Sequence, residues 1–368
     1  MTSQPTMSAP PPTPDLGGWL HDLSPFAFRV TGDFGIRWYG VAYIVGFILG
    51  YYLLRGLAKR KFTPIPPERA LDVILFLVLG TLVGGRLGYV LIYQRELLFE
   101  FTSSAPWWGL LAINNGGMAS HGAIVGLIIA SWRISRGFEN VEGEIEGRCS
   151  PLHVMDLLPM IGMAGYAIGR IANFVNGELL GRVVSAPGEP APWWAVRFPQ
   201  EVLTDHAPGL TAVQQARLDL IVQDHAMPDE SYTQAYERVI ESVVLGSATV
   251  RDRLEPLLAA RHPSQLYQSL EGVIVLVLVW LIAARARKPG VIGCAFLISY
   301  GLLRITTEFW RLPDDHLKNQ QLLGFSRGQW LSGVMVVAGA VILAWILRSD
   351  AKPVGGWRRS KPATDQDA

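Results

Sequence analysis

The sequence predicts an all-α fold: a polytopic membrane helix bundle of seven transmembrane helices with an outer-face loop and helix cap. Half of the 368 residues are hydrophobic and only 17% are charged, and the mean hydropathy is +0.26. The apolar residues also gather into runs of about 20, the length that crosses roughly 30 Å of hydrocarbon.

Seven such runs lie at about 36 to 58, 70 to 92, 109 to 132, 152 to 175, 265 to 284, 290 to 309 and 329 to 347. Basic residues assign the sides. Lys59, Arg60, Lys61 and Arg69 follow the first run, and Arg133, Arg136 and Arg148 the third. Arg285, Arg287 and Lys288 follow the fifth, and Arg348, Lys352, Arg358, Arg359 and Lys361 the seventh. The alternate connections hold fewer: Arg95 in 93 to 108, and Arg311, Lys318 and Arg327 in 310 to 328. The N-terminus is therefore expected outside and the C-terminus inside.

Residues 1–34 read as a disordered extracytoplasmic tail, because the first 24 are rich in Pro, Ser and Thr and lack the basic start and apolar core of a signal peptide. Residues 35–348 form the membrane domain and 349–368 a cytoplasmic basic tail. The connection 183–264 stands apart, opening with Pro187, Pro190, Pro192, Trp193 and Trp194. Helical spacing then returns in Val213, Ala216, Leu220 and Ile221, and again in Tyr236, Val239, Ile240 and Val243. These faces are expected to pack as a cap on the outer surface; the alternative is a variable insertion without a catalytic part. The acidic stretch Glu139, Glu142, Glu144 and Glu146 is a solvated loop.

A net charge of +1 points to no nucleic acid or other polyanionic partner. The two cysteines, Cys149 and Cys294, sit toward the cytoplasmic side, where disulfides do not form. The seven histidines show no metal-ligand spacing. Neither a cofactor nor a metal is expected, and thiol chemistry on the outer side needs a thiol brought by a substrate.

Four polar clusters break the apolar pattern. Arg37-Trp38-Tyr39-Gly40 opens the first run; its aromatics are interfacial anchors or site residues. Asn114 to Gly122 is glycine-rich and contains His121, either a satisfied structural histidine or a base. Gly169 to Arg182 places Arg170 and Asn173 on one helical face, with Gly177 and Gly181 beyond. Arg170 suits a lipid phosphate, or pairs structurally with a carboxylate such as Glu178. Tyr300 to Asp314 aligns Tyr300, Arg304 and Glu308 on one stripe, which is a site or only a salt bridge. Arg86, deep in the second run, stabilises a cavity or touches lipid, and Asp156 pairs with a basic group near its end of the fourth run.

Taken together, these clusters resemble the prolipoprotein diacylglyceryl transferases of bacteria. Gly169 to Gly181 is similar to that family's signature, roughly G-R-x-x-N-F-x-N-G-E-x-x-G. Supporting matches are Arg37 to Gly40, Gly84-Gly85-Arg86-Leu87-Gly88-Tyr89, the Gly-Gly-Met-x-x-His-Gly stretch ending at Gly122, His262-Pro263-Ser264-Gln265-Leu266-Tyr267, and Tyr300 to Asp314. The resemblance implies a multi-pass protein of the bacterial cytoplasmic (inner) membrane. It implies transfer of a diacylglyceryl group from phosphatidylglycerol to the lipobox cysteine thiol of prolipoprotein signal peptides, releasing glycerol phosphate. By motif it implies Arg170 and Arg304 as phosphate ligands and His121 as proton acceptor. Glu308 and Tyr300 join the catalytic set, and Tyr39, Arg86, Asn173, Glu178, Gly181 and Gly122 the substrate-binding set. The sequence departs from the pattern in Ala123, where the family often has a second glycine, and in its long outer connection. The rival reading is a transporter for an anionic solute, which would use the same arginines as a binding site.

Overall fold

The computed structural model describes residues 16–31, 34–103, 105–112, 116–312 and 324–357. In chain order the elements begin with β1 (Trp19–Leu20), β2 (Phe26–Thr31), β3 (Phe34–Arg37), α1 (Trp38–Lys59), α2 (Ala70–Ile92) and α3 (Ser120–Ser135). They continue with β4 (Phe138–Glu139), β5 (Ile145–Glu146), α4 (Pro151–Val175), β6 (Val183–Ser185), β7 (Val196–Arg197), α5 (Ala212–Gln223) and α6 (Tyr232–Val244). Last come α7 (Ala248–Leu254), β8 (Ala260–Arg261), α8 (Ser264–Ala283), α9 (Val291–Thr307) and α10 (Arg327–Arg348).

Among the described residues, six helices are long and apolar enough to cross a bilayer: α1, α2, α4, α8, α9 and α10. The protein is therefore mostly helical and multi-pass. The run at 109 to 132 gives a shorter element than its composition suggests. Helix α3 has 16 residues, about 24 Å at 1.5 Å per residue, short of a full apolar layer. It cannot extend N-terminally because Gly116 and Gly117 both take φ +79, in the left-handed region. Asn114 and Asn115 lie outside the described residues.

The chain divides into two compact units. The first comprises Met1–Tyr39, Arg170–Gln268 and Thr307–Arg327. Its four-stranded sheet runs β1-β7-β8-β6, with β1 parallel to β7 and the other pairs antiparallel. Beside it α5 and α6 each start at a capping box, Thr211 with Gln214 and Ser231 with Gln234. The core holds Leu20, Leu218, Ile221, Val222, Tyr236, Val239, Val243 and Leu254. In α5 the buried face is Leu218, Ile221 and Val222, whereas Val213 and Leu220 are exposed. Apolar residues occupy both sides of this helix, so spacing alone does not choose the inner one. The segment expected to be disordered through residue 34 is folded from residue 16: β1 joins the sheet, Leu20 enters the core, and β2 and β3 form a hairpin. His21 is buried, with Nε2 2.8 Å from the Phe174 carbonyl oxygen.

The second unit comprises Gly40–Gly169, Ser269–Thr306 and Gly328–Ala368. Its core includes Leu54, Leu57, Val73, Ile134, Leu157, Met160, Val275 and Val279. Backbones of α2 and α3 touch through glycines: a Cβ on Gly84 or Gly122 would strike the other's carbonyl oxygen, and one on Gly126 would strike that of Gly80. Asp156 does not pair with a basic group. Its carboxylate accepts the Gly290 and Gly293 amides, both at 2.7 Å, and so caps the start of α9. On α10, Val334, Val337, Val341 and Trp345 are exposed at helical spacing, an apolar stripe suited to lipid. After α10 the chain is tied down: Val354 and Arg287 exchange backbone hydrogen bonds, and Trp357 Nε1 donates to the Trp280 carbonyl oxygen at 3.0 Å.

Gly126→Ala should cost about 1–3 kcal/mol by forcing α2 and α3 apart. Gly56→Ala, whose Cβ meets nothing within 4 Å, should not destabilise. Thermal unfolding of the two purified variants in detergent checks the contrast.

Burial lowers the pKa of His21 from its ordinary 6.5, so the unfolded chain binds more protons there than the folded one. The stability contributed by neutral His21 is complete above about 6.5 and declines as pH falls below it. Melting temperature against pH should therefore slope more steeply for the wild type than for His21→Gln between pH 5 and 7.

Candidate active site

Helix α4 carries the signature segment out of its last turn. It stops at Val175 because Gly177 takes φ +67 and Leu179 φ +56, conformations that turn the chain away from the helix axis. Arg170 and Asn173 lie one turn apart on that helix, and Arg170 Nη1 donates to Asn173 Oδ1 at 3.5 Å. Asn173 Nδ2 in turn donates to the Tyr39 hydroxyl, and Tyr39 donates to Glu178 Oε2 at 2.6 Å. Arg170, Asn173, Tyr39 and Glu178 thus form one polar relay inside the first unit. Arg170, Asn173 and Tyr39 are half-buried, while Glu178 is exposed. Tyr39 is hydrogen-bonded to two residues of the signature segment, and Glu178 accepts from its phenol hydroxyl.

The turn after α4 is gripped through its carbonyl oxygens. Glu178 O accepts from Gln265 Nε2, Leu179 O from Ser264 Oγ at 2.9 Å, and Leu180 O from the Leu312 amide at 3.1 Å. Gly181 O accepts from Arg261 Nη1 at 3.2 Å, and Arg182 O from the His262 amide at 3.0 Å. A Cβ on Gly181 would collide with the His262 carbonyl oxygen, so glycine is required there by close approach. His262 itself sits among the rings of Trp194, Tyr267 and Trp310, and burial lowers its pKa. Spacing did not single out Arg261, Ser264 or Gln265 as supports; the only signal was the His262 to Tyr267 motif.

Glu308 lies on a 3₁₀ turn just beyond α9, where it accepts from Ser326 Oγ at 3.0 Å and stands 4.0 Å from Arg311. The expected helical stripe ends before it, because α9 stops at Thr307. Pro313 and Asp314 lie outside the described residues.

In the second unit Arg86 is buried and donates four hydrogen bonds to backbone. Nε donates to Leu110 O at 2.8 Å, Nη2 to Gly109 O at 2.6 Å, and Nη1 to Gly116 O and Gly117 O at 2.7 and 3.0 Å. Arg86 thus holds the carbonyl oxygens on either side of the approach to α3, at residues 109, 110, 116 and 117. His121 is the second residue of α3 and is exposed, and Gly122 supplies the contact with α2. Ala123 fits, because its methyl lies 3.6 Å from where a Cβ of Gly85 would stand. Tyr300 is packed edge-on against Tyr166, with centroids 5.7 Å apart, and stacks on Phe296. Arg304, one turn further along α9, is half-buried. Both cysteines are free thiols, and burial pushes the Cys149 thiol up to about 11.

With six helices long and apolar enough to cross a bilayer among the described residues, the chain is a multi-pass helical membrane protein. Within that class, the chain belongs to the prolipoprotein diacylglyceryl transferase family, whose model matches residues 25–345. It is 38% identical to the phosphatidylglycerol–prolipoprotein diacylglyceryl transferase of Bdellovibrio bacteriovorus over 358 residues, covering 92% of this chain and 97% of that protein. The enzymes of the same name from Paraburkholderia phymatum and Ralstonia pickettii are 34% and 35% identical, covering 90% and 86% of this chain and 95% and 91% of their own.

Tyr39→Phe removes the hydroxyl that joins Asn173 to Glu178 without changing the ring. It should lower turnover by about 10-fold or more with little change in melting temperature, the signature of lost alignment. Steady-state kinetics and a thermal melt of the same preparation check it.

Proposed function

We propose that this protein transfers the diacylglyceryl group of phosphatidylglycerol to the lipobox cysteine thiol of prolipoproteins in the bacterial cytoplasmic membrane. The observation that carries the reading is the relay from Arg170 through Asn173 and Tyr39 to Glu178, built from family-signature positions and Tyr39. In the reaction the thiolate attacks the glyceryl carbon that bears the phosphate, a C–S bond forms, and the C–O bond breaks with its electron pair leaving on glycerol phosphate. The departing charge is the barrier, and guanidinium groups lower it by neutralising phosphate oxygens. Arg170 and Arg304 are proposed for that role. His121 is the proposed acceptor of the thiol proton, because an imidazole nitrogen can take up a proton and a thiol must lose one to become the nucleophile. Glu308, Tyr300 and Gly181 complete the proposed site, with Gly122 seating α3. Arg86 is proposed to act through the carbonyl oxygens it holds at residues 109, 110, 116 and 117.

The reaction gives each end of the chain a side. The prolipoprotein cysteine arrives from the outer leaflet, which agrees with the N-terminus outside and the C-terminus inside, the arrangement that the basic connections favour. A seventh crossing in the run at about 109 to 132, with α3 as its helix, completes that topology, and the 183–264 connection then lies on the outer face.

Mass spectrometry of a lipobox peptide incubated with phosphatidylglycerol and the purified protein tests the assignment. A diacylglyceryl mass gain is expected, together with glycerol phosphate. Arg304→Ala and Arg170→Ala should each lower the yield by at least about 100-fold while remaining folded, and His121→Gln should lower the rate while the protein remains folded. Anion flux across vesicles without peptide modification would favour the transporter reading.

A further inference from the structure

We infer that Arg261, clamped by Glu201, is a positioning residue that sets the signature turn for the reaction. This rests on the transferase reading above. The pair belongs to the 183–264 connection, so the inference gives that connection a part in turnover.

Arg261 and Glu201 are both almost completely buried, at 1% and 0% exposure. The guanidinium is shared three ways: Nε donates to Glu201 Oε2, Nη2 to the His206 carbonyl oxygen at 2.7 Å, and Nη1 to the Gly181 carbonyl oxygen at 3.2 Å. Glu201 is fixed from its other oxygen, since Oε1 accepts the Ala259 amide at 2.7 Å. The carboxylate therefore pins the fork from one side while the fork holds Gly181 from the other.

Each of the carbonyl oxygens from Glu178 to Arg182 has an outside donor, and every donor except Leu312 comes from residues 261 to 265. Arg261 is the charged member of that set and the one with its own buried counter-ion. A charged donor in a dry setting holds an acceptor more tightly than a neutral one. The turn it holds bears Glu178, whose carboxylate meets Tyr39 and through it Asn173. A slip at Gly181 is thus transmitted to the relay without removing any group that touches substrate.

Arg197 provides the internal comparison. It is buried in the same unit and also donates to carbonyl oxygens, those of Leu258 at 3.0 Å, Glu189 at 2.9 Å and Leu16 at 3.3 Å, none of which belongs to the signature turn. Loss of either arginine should weaken the unit, but only loss of Arg261 should disturb alignment.

The test is steady-state lipidation of a lipobox peptide by the full-length protein in phosphatidylglycerol-containing micelles, with melting temperatures measured on the same samples. Arg261→Gln should lower kcat by about 10- to 100-fold while KM for phosphatidylglycerol stays within about twofold, because orientation and not ground-state binding is lost. Glu201→Gln, which keeps volume and the Ala259 acceptor, should show a smaller loss of the same kind, and Arg261→Lys should recover part of kcat. Arg197→Gln should lower the melting temperature comparably and leave kcat within about twofold. Wild-type kcat in folded Arg261→Gln or Glu201→Gln, or an equal kcat loss in Arg197→Gln, overturns the positioning role. Absence of lipidation by the wild type would overturn the transferase reading instead.

Discussion

A guanidinium that cannot reach water must find oxygen acceptors, and in this protein backbone carbonyls supply them. Arg86 takes the carbonyls of residues 109, 110, 116 and 117. Arg197 takes those of residues 16, 189 and 258, and Arg261 those of residues 181 and 206. In every case the acceptors lie on chain without long regular structure. An irregular segment leaves carbonyls unpaired, and burying such a group costs about 1–3 kcal/mol. A buried arginine removes several of these costs at once and fixes the path of the segment, so loops beside apolar helices become as defined as the helices.

Close backbone approach is the second constraint. Gly80, Gly84 and Gly88 on α2 meet Gly122 and Gly126 on α3 with no room for a methyl group, the arrangement by which helices associate where no hydrophobic effect separates them from lipid. Arg86 stands on the same helix as those glycines and holds the strand of chain that delivers α3 to the contact. The pairing also fixes the start of α3, and with it the place of His121. Gly181 repeats the principle in the other unit, where the backbone of His262 occupies the space a side chain would need.

Much of the fold was legible because hydropathy is additive along a helix: six of the seven apolar runs became helices with ends within a few residues of the expected ones. The run at 109 to 132 gives a shorter helix, α3, because composition does not register that Gly116 and Gly117 turn left-handed. The N-terminal segment misled in the opposite sense. Prolines and serines suggested disorder, yet Trp19 and Leu20 find a strand edge and a core contributed by residues almost 200 positions later. In the site, Arg170 and Asn173 were placed together by periodicity, which is local. That Tyr39 joins Asn173 to Glu178, 134 and 139 residues away, depends on tertiary packing and leaves no periodic trace. For the same reason Arg86 read equally as a ligand or a support, and Asp156 read as an ion-pair partner when it caps a helix.

The arginines differ in what they hold. Four of the five donors of Arg86 go to backbone carbonyls, and the low dielectric that strengthens those bonds would charge heavily for breaking them. Arg170 donates from Nη1 to the side-chain amide of Asn173 on its own helix, the next member of the relay. Burial holds the Cys149 thiol protonated at neutral pH, and Cys294 is enclosed within α9. Neither is suited to attack an electrophilic carbon, so the sulfur that forms a thioether has to arrive on the other substrate, and the protein's task reduces to orienting that sulfur and neutralising the phosphate that leaves.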